Sequence, residues 1–137
     1  MLITIEGKKG EERIVVSSRQ VAEDFEKRHT HVLDSIKALC SAENSAQSFF
    51  FETTYKDASG KSNKEYLMNR DGFSLLVMGF TGEKALKWKL KYIAAFNAME
   101  ETLKKIYEER KQWEIERAKG ILVRHILTDT IKNVLPE

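Results

Sequence analysis

The 137-residue chain is 42% hydrophobic and 32% charged, with a formal net charge of +2. That balance suits one globular domain, with or without an extension, and excludes wholesale disorder, but it does not by itself announce a nucleic-acid binder. The single cysteine, Cys40, excludes an internal disulfide framework, and no apolar run approaches the roughly 20 residues that span a bilayer. The segment Met1–Ile5 lacks the basic leader of a signal peptide, so the expected compartment is the cytoplasm with no membrane partner.

In chain order, Ile14-Val15-Val16 is a β-branched run that predicts a strand. Ser17 followed by Gln20 has the spacing of a capping box, and Val16 and Val21 fall where a hydrophobic staple would close. A helix is expected from Ser18 to about Phe25. Glu26-Lys27-Arg28 interrupts the pattern. A second helix is expected from His29 to Leu39, with Val32, Leu33, Ile36 and Leu39 on its apolar face. Two short helices with so short a join form a helix-turn-helix unit.

Residues 41–48 are small and polar and read as a loop. Phe49 to Tyr55 predicts a strand, Asp57-Ala58-Ser59-Gly60 a turn, and Lys64 to Met68 the returning strand. Asn69 or Asp71 is positioned to cap a nearly all-apolar helix from Arg70 to about Met78, which should be buried. Thr81 is a cap candidate for a long helix beginning at Glu83. On that helix Leu86, Leu90, Ile93 and Asn97 share one line, and Tyr92, Phe96, Met99, Leu103 and Ile106 broaden the apolar surface. Glu108 to Arg117 alternates in charge sign, Gly120 predicts a break or kink, and Ile121 to Leu135 carries a further amphipathic pattern. The order of elements predicts an α+β fold: a winged-helix-like helix-turn-helix with a β-hairpin, followed by long C-terminal helices.

The residues expected to carry function lie at the start of the second helix. A recognition helix reads the major groove with its N-terminal residues, and its free amides and dipole attract phosphate. Lys27, Arg28, His29 and His31 occupy that place, with Ser35 and Lys37 extending the same face. Arg19 at the first helix and the hairpin lysines Lys56, Lys61 and Lys64 are candidates for backbone contacts. The same residues also suit a plain solvated surface. Over residues 17–39, Arg19, Lys27, Arg28 and Lys37 are balanced by Glu23, Asp24, Glu26 and Asp34. Lys84, Lys87 and Lys91 form a second basic stripe on the long helix, suited to phosphate, to an acidic partner or simply to solvent.

No metal or other cofactor is expected. The His29-x-His31 spacing points the two rings apart on a helix, and His125 is isolated. No phosphate-cradling glycine loop, HExxH or GxSxG motif is present, and the chain is read as a non-enzyme.

Ser17-Ser18-Arg19-Gln20-Val21-Ala22-Glu23-Asp24-Phe25, with Lys27-Arg28-His29 and His31-Val32-Leu33, resembles the opening of the Rha family of phage regulatory proteins. The resemblance continues through Phe49-Phe50, Glu52 to Tyr55, Glu65 to Phe73, Leu75 to Gly82 and Ala85 to Glu100, covering about residues 13–105. It implies a regulator encoded by a temperate phage or prophage in a bacterial host. The family is linked to phage growth in hosts lacking integration host factor, and a DNA-binding role is inferred for it. Ala22 holds the usual small position of a helix-turn-helix, but Glu26 stands near the place where a turn glycine is common. Residues 1–105 are therefore expected to form the helix-turn-helix domain. Residues 106–137 form a helical extension, read as the start of a further module seen in antirepressor-like proteins or as a dimerisation segment. Two functions follow: binding duplex DNA to control transcription, with a homodimer as a natural form, or capture of a host or phage repressor protein as an antirepressor.

Overall fold

A computed structural model describes residues 3–134 of the chain, with side chains through residue 122. Two compact units, Met1–Glu100 and Glu101–Glu137, divide it. The first is an α+β unit. Strands β1 (Ile3–Glu6), β2 (Arg13–Ser17), β3 (Phe50–Lys56) and β4 (Ser62–Met68) form one antiparallel sheet in the order β1-β2-β4-β3. Helices α1 (Ser18–Asp24) and α2 (His29–Ala42) lie between β2 and β3, and α3 (Arg70–Val77) follows β4. A 3-10 helix, Asn44–Phe49, fills the segment that reads as a loop, and β1 adds an outer strand that the sequence pattern does not predict.

The start of α1 forms because Ser17 accepts a hydrogen bond at its Oγ from the Gln20 amide at 3.0 Å. The reciprocal half of the expected capping box does not close. Gln20 Nε2 instead donates to Asp24 Oδ1 at 3.1 Å. Val16 and Val21 both sit in the core, as a staple requires.

The end of α1 is fixed by a Schellman motif. The Lys27 amide donates to the Ala22 carbonyl at 2.8 Å, and the Glu26 amide to the Glu23 carbonyl at 3.2 Å. Closing both bonds puts Glu26 at φ +54°, the one positive-φ residue besides glycine among the described residues. The turn is thus made with glutamate in the left-handed conformation that a glycine adopts freely.

Asn69, not Asp71, caps α3, accepting from the Gly72 amide at 2.9 Å. Gly72 is required at its position because a Cβ there would stand 2.7 Å from the Phe49 carbonyl oxygen. Of the expected buried helix, Gly72, Phe73, Leu76 and Val77 are buried, whereas Ser74 and Met78 face solvent. Helix α4 (Glu83–Val134) begins after Gly82, whose carbonyl accepts from the Leu86 amide at 3.0 Å; Gly82, not Thr81, is the residue at the cap. The helix runs without interruption through Gly120, so the expected break there does not occur. One helical glycine costs about 1 kcal/mol, which a helix tolerates.

Within the first unit, α4 directs Ala85, Tyr92 and Phe96 into the core, with Trp88 packed against its edge. Phe73 and Tyr92 stack with ring centres 4.4 Å apart, and Phe25 joins them at 5.8 Å from Tyr92. The Tyr92 hydroxyl, carried into this apolar cluster, donates to Asp24 Oδ2 at 2.6 Å. Burial, reinforced by the Asp24 carboxylate, raises the Tyr92 pKa far above the usual phenol range, so the group is a fixed donor. Of the apolar surface expected on this helix, Tyr92 and Phe96 are buried, whereas Leu86, Leu90 and Ile93, which share one line, are exposed.

In the second unit the described side chains are mostly exposed, with Leu103 and Ile106 half-buried. The expected amphipathic pattern of Ile126, Ile131 and Val134, and His125, lie outside the described side chains.

Candidate nucleic-acid interface

Helix α2 is the one helix of the first three without a side-chain cap. Ser17 caps α1 and Asn69 caps α3, but Arg28, at the N-cap of α2, makes no such bond. The first amides of α2 therefore keep their donors for another acceptor. No acidic residue stands in that first turn.

The helix start is tied to the hairpin by a small polar network. Ser18 is fully buried, and its Oγ accepts from the Tyr66 amide of β4 at 3.0 Å. The same hydroxyl lies 2.8 Å from His29 Nε2. Which of the two groups donates in that bond depends on the imidazole tautomer. Burial lowers the His29 pKa, and the Arg19 charge lowers it further, which favours the neutral form. The His29 ring meets Tyr55 of β3 edge-on at 6.1 Å, and the Arg19 guanidinium stacks 3.7 Å over the same Tyr55 ring. Tyr55, Ser18 and Tyr66 are not among the site residues that the sequence suggests. Their contacts join positions 11 to 48 residues apart, so no local spacing signals them.

The ten expected residues thus fall into two groups. Arg19 and His29 are engaged in the network just described. Ser35 Oγ donates to the His31 carbonyl at 3.0 Å, a bond within α2. Lys64 pairs with Glu52 at 3.4 Å and lies over the Tyr66 ring, and the Tyr66 hydroxyl is the main cause of its raised pKa. Lys27 places its ammonium 5.3 Å from the Phe80 ring centre. Arg28, His31, Lys37, Lys56 and Lys61 form the second group: all are exposed, and their side chains have no hydrogen bond or ion pair among the described residues.

The hairpin tip is itself ordered. Asp57 Oδ1 accepts from the Ser59 amide at 2.9 Å, the Lys61 amide at 3.0 Å and the Ser59 hydroxyl, while Oδ2 accepts from Asn63 Nδ2 at 2.7 Å. These donors, Ser59 and Asn63 foremost, hold the Asp57 carboxyl below the usual carboxylate range. Lys61 is presented from a fixed turn.

The charge balance of the α1–α2 segment changes once folded. Asp24 is buried against Tyr92 and Gln20, and Glu26 pairs with Lys84 of α4 at 3.5 Å. One of the four acids that offset the basic residues, Asp24, is thereby buried in the core, and a second, Glu26, is paired with a lysine of another helix. A groove of about 410 Å³ runs beside α2, lined by Lys27, His31, Ser35, Leu39, Leu75 and Phe80. Among the described residues no cluster of potential metal ligands forms, and no helix is long and apolar enough to cross a membrane.

The α1–α2 pair, with its basic, uncapped α2 start, thus stands beside the two-stranded β3–β4 hairpin. The family model for phage regulatory protein Rha matches residues 16–101, and the chain belongs to that family. It is 41% identical over 95 residues to an uncharacterized protein of Haemophilus influenzae, covering 67% of this chain and 55% of the relative. It is 38% identical over 96 residues to a Bacillus subtilis protein named SPbeta prophage-derived putative antirepressor protein YoqD, covering 67% of this chain and 38% of the relative. An uncharacterized 22.8 kDa protein of Salmonella phage P22, from the gp15-gp3 intergenic region, is 37% identical over 106 residues, or 75% of this chain and 51% of the relative. The chain thus spans about half the length, or less, of these curated relatives. No solved structure matches it.

Proposed function

We propose that the chain is a non-enzymatic transcriptional regulator that binds duplex DNA, with α2 as recognition helix and the β3–β4 hairpin as wing. The strand order β2-β4-β3 around the α1–α2 pair suits a winged helix. The observation that carries the reading is the uncapped, basic start of α2, held against the hairpin through Tyr55. Arg28, His31 and Lys37 would meet the major groove and its phosphates, and Lys56 and Lys61 the neighbouring backbone. Arg19, His29 and Ser18 act by positioning these elements. Fluorescence anisotropy on a random-sequence duplex tests the assignment. Arg28→Ala and Lys61→Ala each weaken binding by about threefold to tenfold, whereas Lys111→Ala leaves it unchanged. Equal affinity in all three variants would overturn it.

A second reading, an antirepressor that captures a repressor protein, is favoured by the name of the Bacillus subtilis relative. It predicts a stable complex with a repressor and no retention of DNA.

A further inference from the structure

Four large apolar side chains are left uncovered where α3 meets the first turns of α4. Leu86, Leu90 and Ile93 follow at i, i+4 and i+7 and are 57%, 59% and 48% exposed, while Met78 is 72% exposed. Met78 and Ile93 share the rim of a groove of about 200 Å³ whose walls include Phe73, Val77 and Lys89. Single exposed leucines need no explanation, but a contiguous stripe beside a groove marks an interaction surface. The core does not need these residues, because Ala85, Tyr92 and Phe96 already anchor the helix through an adjoining face, roughly 100° round from the stripe.

The charges around the stripe select its occupant. In heptad terms Leu86, Leu90, Ile93 and Asn97 form the seam, and Lys87 and Lys89 are the flanking positions on its two sides, the Lys89 ammonium donating to the Phe80 carbonyl at 2.6 Å. Lys84 and Lys91 lie farther out beyond Lys87. Residues 83–94 carry four lysines against one glutamate. Asn97 accepts at its Oδ1 from Arg70 at 2.6 Å, which closes the seam at that end. A second copy of α4 laid on this seam would bring two net-basic segments together, which is unfavourable.

We propose that this stripe docks an amphipathic helix of another protein, apolar along one seam and bordered by glutamate or aspartate. The partner's leading apolar side chain enters the groove between Met78 and Ile93 against Phe73 and Val77. Its carboxylates lie along Lys87 and Lys91. This surface is separate from the α2 start and hairpin, and it goes beyond both functional readings by naming a partner chemistry.

The test uses the full chain and two labelled synthetic helices with the same leucine seam, one bordered by glutamate and one by lysine. The glutamate-bordered helix binds saturably, and the lysine-bordered one binds at least about tenfold more weakly. Leu90→Ser and Ile93→Ser weaken binding by about tenfold while the melting curve and DNA affinity stay unchanged, because both positions are exposed. Lys87→Glu reverses the preference between the two peptides. Absence of binding, equal binding of both peptides, or binding indifferent to Leu90→Ser would overturn the proposal. So would a dimer in sedimentation that Leu90→Ser disperses, which would assign the face to a second copy.

Discussion

Glu26 holds a backbone conformation that costs an L-residue with a side chain about 1 kcal/mol or more. The Schellman bonds around it require that conformation, and its exposed pair with Lys84 returns little. Glu26→Gly should therefore raise stability, by up to about 1 kcal/mol after the greater freedom of glycine in the unfolded chain is subtracted. Glu26→Val, β-branched at positive φ, should lower it. Thermal melts of the two variants check the sign, and a Glu26→Gly protein less stable than wild type would contradict the turn as described. At His29 the folded state disfavours the charged ring, first through burial and then through Arg19. Its folded pKa is thus below the unfolded value of 6.5. The folded state binds fewer protons in that window, so the contribution is full above the unfolded pKa and is lost as pH falls from there through the folded pKa. Denaturant melts between about pH 7.5 and pH 5.5 should show a smaller loss in His29→Gln than in wild type. Equal losses would remove His29 from the network.

At the scale of the elements, the join of the hairpin to the helices decides the geometry of the interface. Tyr55→Leu removes the ring that Arg19 and His29 share, and should weaken DNA binding several-fold with little change in far-UV circular dichroism. Unchanged affinity would mean that the hairpin needs no such anchor. The approach of α3 to the 3-10 helix is tighter. Gly72→Ala would force the Phe49 carbonyl aside and should cost about 1–3 kcal/mol, read by chemical denaturation. Much at this scale is legible in the sequence, because its causes are local. The β-branched run before Ser17 and the cap at Ser17 predict β2 and α1, and the Asp57–Gly60 turn predicts the hairpin that forms. Other features are not legible, for physical reasons. The apolar repeat on α4 says which positions are apolar, not which of them find a partner. Tyr92 and Phe96 meet Phe73 and Phe25, whereas Leu86, Leu90 and Ile93 stay largely open to solvent. Likewise Arg19 and Tyr55 are far apart in sequence, so their stacking, and with it the positioning role of Arg19, depends on tertiary packing.

At the scale of the whole molecule, two surfaces of different chemistry stand on the first unit. One is basic and polar, at the start of α2 and along the hairpin. The other is apolar with lysine borders, on α4. A near-neutral net charge is compatible with a DNA-facing surface because Asp24 is buried against Tyr92 on folding and Glu26 is paired with Lys84. Membership of the Rha family is clear over residues 16–101, while the relatives extend well beyond this chain. On the proposed function, the first surface meets phosphates. The salt dependence of binding to duplex DNA, compared between wild type and a variant with Arg28, Lys37, Lys56 and Lys61 all changed to alanine, tests it most directly. Wild-type affinity should fall linearly in log–log form as salt rises, and the variant's slope should be shallower by about 0.9 for each phosphate it no longer neutralises. A wild-type protein that fails to bind DNA even at low salt, or a variant with an unchanged slope, would contradict it.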